Sequence, residues 1–269
     1  MNQLILEKRY PFHKEYGAVQ TVDENGEQKV KITFLAEIER ASHFKYNIKK
    51  NNILINDKAP DLVIEKLSAK IGSLFSPLEV ETSENGNLKQ ICNLKDIVNS
   101  WKSLKPKLSE YYQGEKMKRL MSSTENELGS KNTIQNRILN SFFYRLYFLP
   151  FRDYLNEEDK DFDLYLPIFP FKNKVRYSIA AAEPELTETG NLKLKLSGKC
   201  TDVRSFVQII NNKTATEVQE STCSGEIDFE YEFNRADGSI FSVNAEIFFQ
   251  DEEKNTRKIN FKLNPISTK

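Results

Sequence analysis

The sequence predicts an α+β fold: an extensive curved antiparallel β-sheet of hairpins and a meander, with three to four helices inserted in the middle. Three observations carry this. First, Asp23-Glu24-Asn25-Gly26, Ser83-Glu84-Asn85-Gly86 and Arg235-Ala236-Asp237-Gly238 each sit between stretches of apolar/polar alternation. Asn-Gly and Asp-Gly supply the positive φ angles that tight hairpin turns require. Second, apolar residues between the second and third of these turns recur at three- and four-residue spacing, a helical period. Third, beyond residue 175 the period returns to two, as in Leu192, Leu194 and Leu196 alternating with Lys193 and Lys195. The chain reads as one α+β unit over 1–269, with a mixed half (1–155) and an all-β half (156–269) as the alternative division.

Residues 3–10 are a strand candidate. Gly17 to Val22 and Gln28 to Ile38 pair across Asn25-Gly26, with Lys29, Lys31 and Thr33 on a wet face and Val30, Ile32 and Phe34 on a dry one. His43 to Lys49 alternates again, and Asn51-Asn52 is expected to turn the chain into Ile53-Leu54-Ile55. Pro60 and Asp61 suit a helix start, and Val63, Ile64, Leu67, Ile71, Leu74 and Phe75 form its apolar face until Pro77 ends it. Leu78 to Glu81 and Leu88 to Ile91 pair across Asn85-Gly86. From Lys95 a stripe of Ile97, Val98, Trp101, Leu104, Leu108 and Tyr111 predicts a helix, with a kink or break expected near Lys105 because Pro106 follows. Gly114 is a second stop, Glu115 to Leu128 a further helix and Gly129-Ser130 a turn.

Asn132 or Thr133 then caps a helix bearing Ile134, Ile138, Leu139, Phe142, Phe143, Leu146, Tyr147, Phe148 and Leu149, apolar on more than one face. Residues 156–163 are acidic. Leu164 to Phe171 is apolar but holds Pro167 and Pro170, so it reads as an extended connector and not as a central strand. Val175 to Ala181, Leu186 to Leu196, Val203 to Ile210, Ala215 to Thr222, Ile227 to Asn234, Ser239 to Phe249 and Arg257 to Leu263 are strand candidates, with a weaker turn at Glu188-Thr189-Gly190-Asn191.

Composition bounds the function. Aromatic residues make up 11% of the chain, and 18 Phe and 11 Tyr are enough for a substantial core. Acidic and basic residues balance at 39 each, which removes any whole-protein drive toward nucleic acid or anionic membrane. No stretch approaches a membrane span, and residues 1–9 lack the apolar run of an export signal, so a cytoplasmic location is expected. The Lys-, Asn- and Ile-rich usage points to an AT-rich bacterial genome. Cys92, Cys200 and Cys223 are odd in number and widely spaced, which fits reduced thiols, with a Cys200–Cys223 bridge as the alternative.

The chemistry-bearing motifs are sparse. His13, in an expected loop, and His43, opening a strand, have no metal-ligand partner at suitable spacing. Asp159-Lys160-Asp161-Phe162-Asp163 starts like a calcium loop, but Leu164 and Pro170 occupy the places of its glycine and closing Glu, so it reads as a solvated acidic loop. No phosphate-cradling glycine loop or nucleophile elbow occurs. Lys102, Lys105, Lys107, Lys116, Lys118 and Arg119 interleave with Trp101, Tyr111 and Tyr112 as in a single-strand binder, but the aromatics fall on the apolar stripe and the lysines become its wet face. No cofactor is expected.

What remains is aromatic surplus. Trp101, Phe142, Phe143, Tyr147, Phe148, Phe151, Phe169 and Phe171 are the candidate binding residues, either as core or as a greasy surface or pocket. The leading expectation is a non-catalytic, protein-binding adaptor or assembly component of a bacterial cytosolic complex, acting on another protein or on itself. The alternative is a carrier for an apolar, lipid-like small molecule in a sheet–helix cavity. A hydrolase with an unrecognised site is the third reading.

No signature motif assigns a family. The hairpin sequences, the Trp101 helix and the closing stretch from Tyr231 to Ile240 loosely resemble, in strand order, the bacterial lipoprotein carriers, whose strongly curved antiparallel sheet wraps helices around an apolar cavity. The resemblance implies acyl-chain binding. The chain departs from it in lacking an export signal, since those carriers work outside the cytoplasm.

Overall fold

The computed structural model describes residues 10–139, 141–151, 162–170, 172–214 and 223–266. Its strands are β1 (Phe12–Glu24), β2 (Glu27–Arg40), β3 (Lys45–Ile55), β4 (Leu78–Thr82), β5 (Leu88–Ile91), β6 (Phe162–Leu166), β7 (Val175–Ala181), β8 (Glu185–Leu186), β9 (Leu192–Cys200), β10 (Ser224–Phe233), β11 (Ile240–Gln250) and β12 (Thr256–Pro265). Its helices are α1 (Val63–Gly72), α2 (Leu94–Tyr111), α3 (Glu115–Leu128), α4 (Lys131–Leu139), α5 (Phe142–Tyr147) and α6 (Phe206–Ile210). Five of these six lie between β3 and β6, more than the three or four expected.

All twelve described strands belong to one antiparallel sheet, ordered β5-β4-β3-β2-β1-β12-β11-β10-β9-β7-β6, with β8 beside β9. β1 to β5 run outward in sequence order to one edge and β12 to β6 to the other, β7 pairing with β9 past β8, and the two runs meet at the centre, where β1 pairs with β12 from Tyr16↔Pro265 to Glu24↔Arg257. The expected hairpins form: Gly26, Gly86 and Gly238 have φ of 81°, 96° and 65°, the region that glycine enters without penalty.

One face of the sheet is covered and the other is wet. Tyr16 and Ala18 of β1, Ile38 of β2 and Ile48 of β3 are buried, as are Leu263, Ala245, Phe229 and Leu194 on the other half. The helices supply the cover. Tyr147 of α5 meets Tyr46 of β3 with ring centroids 6.5 Å apart, while the carbonyl of the adjacent Leu146 accepts a 3.2 Å hydrogen bond from Tyr231 of β10. A flat sheet would hold β3 and β10 about 24 Å apart. Converging on one short helix, they wrap it.

Several local expectations are corrected. The helix through Pro106 is unbroken. Pro106 and Lys102 are both exposed, so water replaces the hydrogen bond that the ring forfeits. The long helix expected from Asn132 to Leu149 is two helices, and Ser130 caps the first by accepting from the Thr133 N–H at 3.1 Å. Asn51-Asn52 do not end β3. Asn52 takes φ 52° inside a bulge, where the register with β2 shifts between Thr33 and Leu35.

Val203 to Ile210 is not a strand. Ser205 and Gln208 exchange backbone–side-chain hydrogen bonds of 2.9 and 3.3 Å, a capping box that opens α6. The Leu164 to Phe171 connector begins as edge strand β6, and Pro167 follows where pairing has ended. His13 lies on β1 and not in a loop. Tyr111, expected on the packed stripe, is 83% exposed. The strand candidates at residues 3–10 and 215–222 and most of the acidic run lie outside the described residues, apart from Tyr10 and from Phe162 and Asp163. Asp163 pairs with Arg176 at 2.8 Å. None of the three cysteines is in a disulfide. Among the described residues no helix is long and apolar enough to cross a membrane.

Candidate functional site

The aromatic candidates do not form one site. Phe142, Phe143, Tyr147, Phe148 and Phe151 are buried on α5 and just beyond it. Trp101 is buried on α2, its indole N–H without a partner among the described residues. Phe169 packs elsewhere, edge-on against Phe206 at 5.4 Å and Phe249 at 5.3 Å. Phe171 lies outside the described residues. The aromatic surplus is thus spent mostly on the inner face of the sheet itself.

Three of the candidates, Tyr147, Phe148 and Phe151, converge with Phe12, Tyr46 and Phe233 on a cavity of about 60 Å³ at one end of the sheet. Two hairpin turns close it: Asn85-Gly86 from the front half and Gly238 from the back. Phe151 is edge-on to Tyr231 and Phe233 at 4.6 and 4.9 Å, and Phe148 to Tyr46 at 5.4 Å.

The polar group at this cavity is Arg40, the last residue of β2 and 2% exposed. Its Nε donates to the Tyr10 carbonyl at 2.9 Å, and Nη2 donates to the carbonyls of Tyr10 and Asp237. Its guanidinium carbon stands 4.7 Å from the centre of the Phe12 ring. Among the described residues no carboxylate pairs with it. The neighbouring Asp237 carboxylate is instead engaged by Lys14 at 2.9 Å and by the Ser239 N–H at 2.8 Å. Burial raises the affinity of Asp237 for a proton, but the Ser239 and Lys14 hydrogen bonds outweigh this and hold it below the usual carboxylate range.

Tyr16 donates to the Ile240 carbonyl at 2.5 Å and accepts from Tyr147. Burial pushes both phenols well above their ordinary value, so they stay neutral donors and do not serve as acids near neutral pH. The arrangement can therefore hold an anionic group against Arg40, with aromatic walls for the carbons beside it.

Other chemistry-bearing residues lie apart. His13 is 3.5 Å from Glu37 on the wet face, and His43 is exposed, edge-on to Phe44. Burial raises all three thiols, Cys223 to about 12, which leaves them protonated and weakly nucleophilic. No group of three metal-ligating side chains occurs among the described residues. A larger, open groove of about 770 Å³ runs over the outer face at Ser178, Gly198, Glu226 and Lys258.

Arg40 and Lys50 are the residues that sequence reasoning missed. The signal was present: β2 and β3 turn every second residue inward, and both cations occupy inward positions, where Arg40 faces Tyr46 and Lys50 faces Ala36.

No family model matches the chain, and no curated protein matches it. Among solved structures, one described as lipid–protein interactions in lipovitellin is similar over 98% of this chain and 26% of its own, at 10% identity and a TM-score of 0.49. The chain spans about a quarter of that structure, and a likeness at this level carries no argument.

Proposed function

We propose that this chain is a non-catalytic binding protein for a small molecule with an anionic end and a short apolar body. The observation that supports it is a buried guanidinium with no carboxylate partner among the described residues, at a cavity walled by six aromatic rings. A buried cation met, among the described residues, by carbonyl dipoles and one ring face is left short of negative charge, which a ligand carboxylate supplies. The cavity volume sets the scale. About 60 Å³ matches the liquid volume of roughly two waters. It takes a carboxylate or a few carbons, not an acyl chain.

Calorimetric titration of the full chain with acetate, propionate and their uncharged amides tests this. Binding of the acids, absence of the amides, and loss of binding in Arg40→Gln are the expected results. Equal binding by Arg40→Gln refutes the reading.

A second reading has its own observation. Leu62, Val63 and Ile64 are consecutive and 60%, 60% and 43% exposed at the start of α1. Such a patch suits contact with another protein or a second copy. Light scattering across a concentration series tests the second copy: a mass increase abolished by Val63→Glu supports it, and a constant monomer mass argues against it.

A further inference from the structure

Acidic and basic residues balance over the whole chain at 39 each, but they do not balance at one cavity. It measures about 560 Å³ and lies beside edge strand β6, where β7 begins and β9 ends. Lys172, Lys174, Arg176 and Arg204 line it, and Asp202 is the one carboxylate among its described lining residues.

The two arginines are matched. Asp202, 3% exposed, accepts from Arg204 Nε at 2.8 Å and Nη2 at 2.5 Å. It also accepts from the Arg176 and Arg204 backbone N–H groups at 3.0 and 3.1 Å. Arg176 Nε meets Asp163 at 2.8 Å. The two lysines are not matched. Among the described residues the ion pairs here are Arg176–Asp163 and Arg204–Asp202, and neither lysine amine has a carboxylate within 4.0 Å. Elsewhere on the sheet, Lys31, Lys49, Lys193 and Lys258 each meet one at 2.8–3.1 Å.

Lys172 and Lys174 are both half-buried, so each gives up hydration without a counter-charge. Burial, and then the Arg145 charge, lower the Lys174 amine below its ordinary range. The backbone that carries the pair is pinned. Arg204 Nη2 donates to the Lys174 carbonyl at 2.6 Å, and Asn173 Nδ2 donates to the Lys213 carbonyl at 3.2 Å. The rim is thus set before any ligand arrives, which reduces the ordering penalty of binding.

The remaining walls indicate what an anion brings with it. Asn136, Thr201 and Thr214 offer amide and hydroxyl groups, and the Tyr165 ring is 42% exposed. Such walls suit a body bearing hydroxyl groups better than an acyl chain. At neutral pH a phosphomonoester carries about two negative charges, one for each unmatched lysine. We propose that this cavity binds a soluble sugar phosphate, its phosphate held by Lys172 and Lys174 and its hydroxyl groups by Asn136, Thr201 and Thr214. The site is separate from the Arg40 cavity and does not depend on it.

Calorimetric titration of the full chain with ribose 5-phosphate, inorganic phosphate and ribose tests this. Ribose 5-phosphate is expected to bind saturably, inorganic phosphate about ten-fold more weakly and ribose undetectably. Lys172→Gln and Lys174→Gln together should weaken ribose 5-phosphate about ten-fold or more, while Lys193→Gln leaves it unchanged. Acetate, the probe for the Arg40 cavity, should not displace it, so the two sites can fail independently. Should the double variant not fold, acetic anhydride labelling of the wild-type chain with peptide mapping decides. Protection of Lys172 and Lys174 by ribose 5-phosphate, with Lys193 still reactive, supports the proposal. Equal labelling with and without ribose 5-phosphate, no sign of saturation by about 1 mM, equal affinity for inorganic phosphate, or full binding by the double variant overturns it.

Discussion

The covered faces of the two halves of the sheet differ in kind. In the back half, β7, β9, β10 and β11 turn inward Val175, Tyr177 and Ile179, then Leu192, Leu194 and Leu196, then Ile227, Phe229, Tyr231 and Phe233, then Val243, Ala245, Ile247 and Phe249, all buried and none charged. In the front half, β1, β2 and β3 turn inward Lys14, Arg40 and Lys50 among Tyr16, Ile38 and Ile48. The same antiparallel architecture thus carries a purely apolar core on one side and three cations on the other. Strict alternation marks residues that hold the fold together. Departures from it mark positions whose cost has to be explained by something other than packing.

Four substitutions probe this contrast. Phe229→Ala, in the back half, should destabilise the protein by about 3–5 kcal/mol by leaving a cavity, read as a lowered urea midpoint. Arg40→Met, in the front half, removes the donor for the Tyr10 and Asp237 carbonyls and should cost about 1–2 kcal/mol. Were it neutral, Arg40 would not be meeting those carbonyls.

Lys50→Met should act in the opposite direction, raising stability at pH 6 by about 1–3 kcal/mol. In the folded chain Lys50 releases its proton near pH 7, whereas the unfolded chain keeps it to about 10.4. Between those values the unfolded state binds more protons, so Lys50 becomes less destabilising as pH rises. The gain from Lys50→Met should accordingly be full below pH 7 and vanish toward pH 10.5, and a pH-independent gain would contradict the assignment. The smallest effect is expected from Ser205→Ala, about 1 kcal/mol for loss of the α6 cap.

What was legible in the sequence was local. The Asn-Gly and Asp-Gly turns name their own backbone angles, and Leu192 to Leu196 names its own wet and dry faces. The capping box at Ser205 and Gln208 was equally local, but the apolar run around it read as a strand. The β3 bulge was not legible, because Asn51-Asn52 carries turn chemistry that pairing with β2 overrides. The cavity was half legible. Tyr147, Phe148 and Phe151 stood out by composition, but their meeting with Phe12 and Phe233 depends on β1 lying near β10, which no local pattern specifies. Arg40 looks like an ordinary strand-end cation until its register with Tyr46 is known.

The seam between β1 and β12 also dictates when this protein can become itself. Tyr16 waits for Pro265, and Val22 for Ile259, before the middle of the sheet exists. During synthesis the early hairpins leave the ribosome with β1 unpaired along one side, and loop closure over so long a stretch is slow. Nascent chains therefore pass through a stage with an open strand edge and uncovered phenylalanines, the state in which a holding chaperone has most to grip and neighbouring copies most readily stick.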